Sequence, residues 1–582
     1  ASSFGVKSPT LNSDWIFVNG LAGVGYTATN DIVNGAGTAG DQIWKWINLS
    51  QFTGNSDFTV GAGDLTQTFQ IGARENGLDM DKFVFGSAGT EFTVADLDSG
   101  ILHNPVINTN TFPGPDGIAF HRFSAMSNGL NLDGANPAAG LTLINGVLCG
   151  TTLNGGTQGN GVAFYMSLDG TNFSAFQSFA GAPESANPKS DLMISDAGFF
   201  GASLAGGNND VGAVFSGNTN GDFSILQNFS AVSADNATNF GGASPGELIL
   251  SGNTLFGTTT AGGVSGNGTI FSLSTNGAGF AVLHDFSALD CNSGTNADGA
   301  FACGNLIILD KTIYGTASSG GNGGAGVIFS LGTNGTDFTI LHSFESLDAD
   351  FATNSDGAFP VGGLVLSDGT LYGTTMAGGA GGEGVIFSVG TNGLGFSVLH
   401  HFAAIDSVTG KNSDGASPCA ALTLSGGYLF GTTAAGGANS SGTVFCVSTN
   451  GLKFQTIHAF AALDFPSGTN RDGAFPVAGV LPIGSSLYGT TFSGGPGGVG
   501  TVFNVPVPPL PAFITKIGYE NGNVKLRFLG TPKSTNIVQA TSDLALPVLW
   551  HTISTNVADD TGAWQFMENS TDLTRFYRSY AP

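Results

Sequence analysis

The sequence predicts an all-β chain built around a seven-bladed β-propeller and flanked by two β-sandwich modules. Three observations carry this. A segment recurs every 58 residues, each copy divides into four short strand-like pieces, and no copy contains a 3.6-residue periodicity. The tetrapeptide Phe256-Gly257-Thr258-Thr259 returns at Tyr314, Tyr372, Phe430 and Tyr488, with weaker copies at Cys149 and Phe200. A second column, F-x-x-[LI]-H-x-F, places His284, His342, His400 and His458 at the same spacing. Its other copies carry Gln177, Gln227 and His121. A third, N-x-D-G-A, holds Asp298, Asp356, Asp414 and Asp472, with a further copy at Asp133.

One unit, read from Gly362, contains GGLVLS, TLYGTTM, GVIFSVGT and FSVLHHF. Each piece is rich in β-branched or aromatic residues and bounded by Gly, Asn, Ser or Asp, as strands are. The T-N-G before the last piece is a hairpin signal. Four strands per unit in seven copies define propeller blades, with GLVLS innermost and the histidine strand outermost. The phase of the array predicts how it closes. A histidine-type strand, Ile118 to Phe123, precedes the first complete unit, and the last unit, Gly479 to Val505, stops after three strands. Pairing the two completes a blade and protects edges that would otherwise stand open. Within FSVLHHF, strict alternation puts Phe396, Val398, His400 and Phe402 on one face, against a neighbouring blade.

Composition agrees. Of 582 residues, 93 are Gly and 46 are Phe, while only 10% are charged, against about 25% in ordinary globular proteins. With 41% hydrophobic residues the chain can fill a core, so the glycines read as turns rather than disorder. Sixteen Lys and Arg against 42 Asp and Glu give −26, the wrong sign for phosphate backbones, so no nucleic-acid partner is expected. No apolar run is long enough for a membrane span. The start Ala1-Ser2-Ser3 without Met, and the acidic, lysine-poor surface, suggest a processed, secreted chain, extracellular or at the cell surface.

The columns L-Y-G-T-T, G-x-V-F-S, T-N-G, L-H-x-F and D-G-A-x-P resemble the bacterial GloVer repeat, named for Gloeobacter and Verrucomicrobia. The resemblance covers roughly residues 112–506. It implies a secreted or surface-displayed propeller and brings no activity with it. The first two units depart most: CGTT and FGAS stand for YGTT, and Gln stands for His.

Residues 1–100 lie outside the repeat. Trp44-Lys45-Trp46 and the segment Gln67 to Phe85 resemble the closing strands of carbohydrate-binding jelly rolls, with Gln67 where that family has His. The module is shorter at its start than the family's, which predicts an incomplete sandwich. Trp44, Trp46, Arg74 and Glu75 are then candidate sugar contacts. The alternatives are core packing for the tryptophans and an internal ion network for Arg74, Glu75, Asp79, Asp81 and Lys82. Residues 506–511 (PVPPLP) read as a stiff linker. Residues 512–582 alternate like a small immunoglobulin-like sandwich and resemble a C-terminal module of secreted Verrucomicrobia proteins.

Candidate sites within the repeat are few. The histidine column (His121, His284, His342, His400, His458) points into separate interfaces and is read as structural hydrogen bonding. The loops between blades offer two aspartates each: Asp290 and Asp298, Asp348 and Asp356, Asp406 and Asp414, Asp464 and Asp472, with Asp350 beside them. They are weak calcium candidates, set against turn-forming bonds to their own backbone, which is the favoured reading. No other cofactor is expected. Cys291 and Cys303 flank one loop and either pair or remain thiols, as Cys149, Cys419 and Cys446 do. GASPG around Ser244 matches a nucleophile-elbow pattern in the wrong context. Unique acids at a propeller's axis would mark an enzyme, and the charged residues instead sit mostly in repeated columns or flanks.

The function expected is that of a non-catalytic extracellular structural or adhesive protein. An incomplete N-terminal sandwich, covered by a strand from a neighbouring copy, would assemble it head to tail into a fibre or surface layer. The alternatives are a monomer completed by its own residues 100–112, a carbohydrate-binding surface protein and, less favoured, a propeller glycosidase or lyase.

Overall fold

The computed structural model describes residues 118–582, apart from 196–197, 219–221, 351, 509, 511, 521–522, 531–532, 543–549, 560–561, 569–575 and 581–582. Within 1–117 it describes only 4–7, 16–18, 32–34, 46–48 and 70–73. The chain divides into two units, Ala1–Thr109 and Asn110–Pro582. In the first, Phe4–Lys7 pairs antiparallel with Ile16–Val18 and with Gln70–Ala73, and Ile32–Asn34 runs parallel to Trp46–Asn48.

The second unit is a β-propeller followed by a small sandwich. Among the described residues it holds seven antiparallel sheets, each four strands across. We number the blades by their second strands: Val147–Thr152, Gly198–Gly206, Thr254–Ala261, Thr312–Ser319, Thr370–Thr375, Tyr428–Thr433 and Ser486–Thr491. Blade 5 shows the common plan. Val365–Ser367, Thr370–Thr375, Val385–Gly390 and Ser397–His401 pair in chain order. In blades 2 and 4 the inner strand is split into two pieces on one partner.

The repeated glycine of the tetrapeptide has a steric cause. A Cβ added at Gly373 would lie 2.6 Å from the Phe387 ring of the next strand, and the same approach, 2.4 to 2.8 Å, recurs in all seven blades. The phenylalanine of V-F-S therefore occupies the space a side chain would take. The T-N-G turn closes as the hairpin signal requires: Gly393 has φ 78°, and Gly390 N donates to Leu394 O at 2.8 Å.

The ring closes with strands from both ends of the repeat array. Ala119–Arg122 is the outer strand of blade 7, with Thr501 opposite Arg122 and Val502 opposite His121. Blade 7 then meets blade 1, where Thr490 Oγ1 donates to Ala139 O at 3.0 Å and Asn136 N donates to Val499 O at 2.7 Å. Phe123, buried with Leu141, Phe164 and Val502, seals that junction.

One expectation is corrected. Phe396 and Val398 do not share a face with His400 and Phe402. Ile386 lies opposite His400 while Phe387 lies opposite Val398, so Leu399 is a bulged extra residue. The bulge turns the strand over. Phe396 and Val398 pack toward blade 4, whereas Leu399, His400 and Phe402 pack toward blade 6. Each blade carries a bulge at this place.

After Thr501–Pro506 the proline-rich segment stays on the ring: Leu510 is buried with Val480 and Val505, and Val507 N donates to Ser485 O at 2.8 Å. Beyond it stand two three-stranded antiparallel sheets. Phe513–Glu520, Asn523–Leu529 and Ala563–Glu568 form one, and His551–Val557, Thr535–Thr541 and Phe576–Tyr580 the other. Leu526, Phe528 and Val538 are buried with partly covered Trp564 and Tyr577.

Candidate functional site

The histidine and aspartate columns meet. His284 Nε2 lies 3.0 Å from Asp298 Oδ2, His342 2.8 Å from Asp356, His400 2.9 Å from Asp414 and His458 3.0 Å from Asp472. His121 and Asp133 form a looser pair at 3.5 Å. Each aspartate also takes a backbone amide just past its histidine strand, from Ser287, Glu345, Ala403, Ala461 or, for Asp133, Ser124. The histidine rings of blades 3, 4, 5 and 7 stack flat on a phenylalanine of the following blade, as His400 does on Phe454 at 3.7 Å between centroids. The column thus joins an outer strand, the next blade and the loop between them.

Two of these carboxyls have a definite pH consequence. Burial raises Asp298, but hydrogen bonds from the His284 ring and from the Ser287 hydroxyl and amide outweigh it, so the net shift is downward. Burial likewise opposes the close approach of His121 and the bonds from Ser124 that hold Asp133 down. A lowered carboxyl adds stability above its unfolded value and loses it as the pH falls through the folded one. These two junctions therefore hold at neutral pH and weaken in strong acid.

The first aspartate of each loop serves another purpose. Asp290 Oδ1 accepts from the Asn292 and Ser293 amides, Asp348 Oδ1 from Asp350, and Asp406 Oδ1 from Val408 and Thr409. Asp464 accepts from the Ser467 hydroxyl. The paired aspartates of a loop are thus directed at different partners. Among the described residues no three of His, Cys, Asp and Glu come together as a metal site would require. The asparagine of the motif ties the loop to the next blade: Asn354 Oδ1 accepts from Gly357 and Gly379, and its amide donates to Glu345 O and Gly357 O.

Of the other candidates, Cys291 and Cys303 are not bridged, and all five cysteines are free thiols. Burial pushes the Cys303 thiol up to about 11. Ser244 lies within the strand Ala243–Ser251, not on a strand-to-helix turn. Trp44, Arg74 and Glu75 lie outside the described residues, and of Trp46 only the strand is described.

The group that sequence reasoning passed over lies near the axis. The residue before the first leucine of the inner strand, or before Val480 in blade 7, is Gly140, Asn305, Gly363, Ala421 or Gly479 in five blades, but Asp191 in blade 2 and Glu247 in blade 3. Gly140 N donates to Asp191 Oδ1 at 2.5 Å, and Asp191 N donates to Glu247 Oε2 at 2.7 Å. Three successive blades are linked in this way. Burial raises both carboxyls, against the Gly140 amide bond at Asp191; the charge of Asp191 pushes Glu247 up further, with the Asp191 amide bond and Lys189 opposing. Asp191 and Glu247 are thus two acids that stand outside both the repeated columns and the flanks. Alignment of A-N-P-A-A-G-L with A-N-P-K-S-D-L would have exposed the departure.

A four-stranded repeat closed on itself by its own two ends defines this protein as a tandem-repeat β-propeller. The sequence profile of the Gloeobacter/Verrucomicrobia repeat matches residues 115–297 and 290–412, and the chain belongs to that family. No curated protein matches it in sequence. Solved structures of similar fold include an oligogalacturonate lyase from Vibrio parahaemolyticus, 11% identical, TM-score 0.38, covering 68% of this chain and 92% of that one. They also include a Mycobacterium tuberculosis puromycin-hydrolyzing peptidase, 11% identical, TM-score 0.40, covering 73% and 62%. A third is a nidogen/laminin complex, 15% identical, TM-score 0.32, covering 52% and 91%.

Proposed function

We propose that this protein is a non-catalytic structural or adhesive element outside the cell, which associates with copies of itself into a fibre or surface layer. One observation carries the reading: the recurring polar side chains are used inside the ring. Histidine is bound to aspartate, asparagine to its loop, and, in blades 4 to 7, the threonine of the second strand to the next blade's backbone. Thr374 Oγ1, for example, donates to Ala420 O at 3.2 Å. Groups spent on holding a ring are not free to transfer protons. The loops between blades meanwhile present Phe240, Val408 and Phe465, which are 79%, 90% and 92% exposed and fit contact with another surface.

Light scattering over a concentration series, with and without calcium, tests association. The expected result is mass growing beyond 58.7 kDa as concentration rises. A single species of that mass throughout would contradict assembly, and turnover of a polysaccharide mixture by the purified chain would contradict the non-catalytic reading.

A further inference from the structure

The junctions between blades are built in two ways. Five carry a histidine–aspartate pair near the rim, from the one after blade 3 to the one after blade 7. The two on either side of blade 2 carry Gln177 and Gln227, whose side-chain amides donate to Ser178 O and Asn228 O of their own strands. The loops there have Glu184 and Gly241 at the aspartate's place. Nearer the axis, Thr316, Thr374, Thr432 and Thr490 latch onto the next blade's backbone. Before blade 2 the matching hydroxyl, on Thr151, is buried with no hydrogen-bond partner among the described residues. After blade 2, Ala202 stands in the threonine's place. These same two junctions are bridged instead by Asp191 to Gly140, with Thr142 Oγ1 of blade 1 donating to Leu192 O beside it, and by Glu247 to Asp191.

We infer that blade 2 is the release point of the ring, the sector whose two junctions loosen first as the pH rises. The second-strand hydroxyl of blade 3, on Thr258, is likewise without a partner, but its junction keeps the His284–Asp298 pair; among the described residues only the two junctions of blade 2 lack both, so more of the load falls on two carboxyls. The groups facing Glu247 are Asp191 and Lys189 of blade 2 and Cys303 of blade 4, and Glu247 in turn faces Asp191. Ionising both carboxyls sets like charges side by side at partly buried positions, which costs free energy that the Asp191 amide bond and one lysine offset in part. Folding raises both groups, so their contribution is complete in acid, below the ordinary carboxylate range. It is lost as the pH rises through the raised values. The junctions made by Asp133 and Asp298 respond in the opposite sense, so neutral or mildly alkaline conditions single out blade 2. This inference concerns the mechanics of the ring and stands apart from the function proposed above.

Hydrogen exchange of the full chain at about pH 5 and about pH 8, corrected for intrinsic rates, tests it. Strands 198–206 and 213–217 should gain about tenfold more opening between the two conditions than 370–375 and 385–390. The Glu247→Gln variant keeps an acceptor for the Asp191 amide but cannot ionise, and should reduce that difference to less than about threefold. Equal opening of blades 2 and 5 at the higher pH, or an undiminished difference in the variant, would overturn the inference. The wild-type comparison needs no variant, so it decides the matter if Glu247→Gln fails to fold.

Discussion

Phe123→Ala is expected to lower the unfolding free energy of the propeller by about 3–5 kcal/mol, the cost of emptying a close-packed phenylalanine site. Phe123 is 1% exposed. Its ring packs edge-on against His121, Phe164 and Phe173, at 4.9, 5.6 and 6.0 Å between centroids. Phe164 and Phe173 belong to blade 1, and the strand that delivers Phe123 belongs to blade 7. Truncation therefore removes apolar contacts from both sides of the closing junction and leaves a cavity there. Urea denaturation of the full chain, followed by intrinsic fluorescence and circular dichroism, measures the loss. A change below about 0.5 kcal/mol, as for an exposed site, would mean that the closing strand carries no share of the ring's stability.

Asp472→Ala is expected to cost about 2–4 kcal/mol. The Asp472 side chain, 2% exposed, accepts from His458 Nε2 at 3.0 Å and from the Ala461 amide at 3.0 Å. Replacing it strands both donors at a covered junction, and an unpaired buried donor loses its full hydration. His458→Ala removes one donor, so the double variant should cost less than the sum of the two singles by about 1–2 kcal/mol. Asp464→Ala, in the same loop but holding only a surface turn through Ser467, should stay within about 1 kcal/mol of the parent. If Asp464→Ala and Asp472→Ala prove equal in cost, the division of labour between the two loop aspartates is wrong.

The architecture was legible because its signals repeat. Period, four pieces per unit and the phase of the array together predict that Ile118 to Phe123 joins the blade of Tyr488, and that pairing is present. The partnership of the columns was not, since His400 and Asp414 are separated along the chain and only the loop's path brings them within 2.9 Å. The face of His400 was misread for a physical reason. Alternation assumes one residue per step, and the bulge at Leu399 adds one. The break shows at Leu399 and His400, which both pack toward blade 6, where strict alternation would send them to opposite blades. Asp191 and Glu247 carry no repeated signal, because they break a column that is otherwise uncharged. The purpose of the tetrapeptide glycine required the third strand in place, since the Phe387 ring that excludes a side chain at Gly373 is brought there by strand pairing.

The central claim is that the ring is closed by strands from the two ends of the repeat array, and amide exchange over Ala119–Arg122 tests it most directly. Peptides covering this strand should exchange as slowly as those covering Ser397–His401, the equivalent outer strand of blade 5, and should lose protection together with Thr501–Pro506. Exchange of Ala119–Arg122 at the rate of an unstructured peptide, while Ser397–His401 stays protected, would contradict the closure.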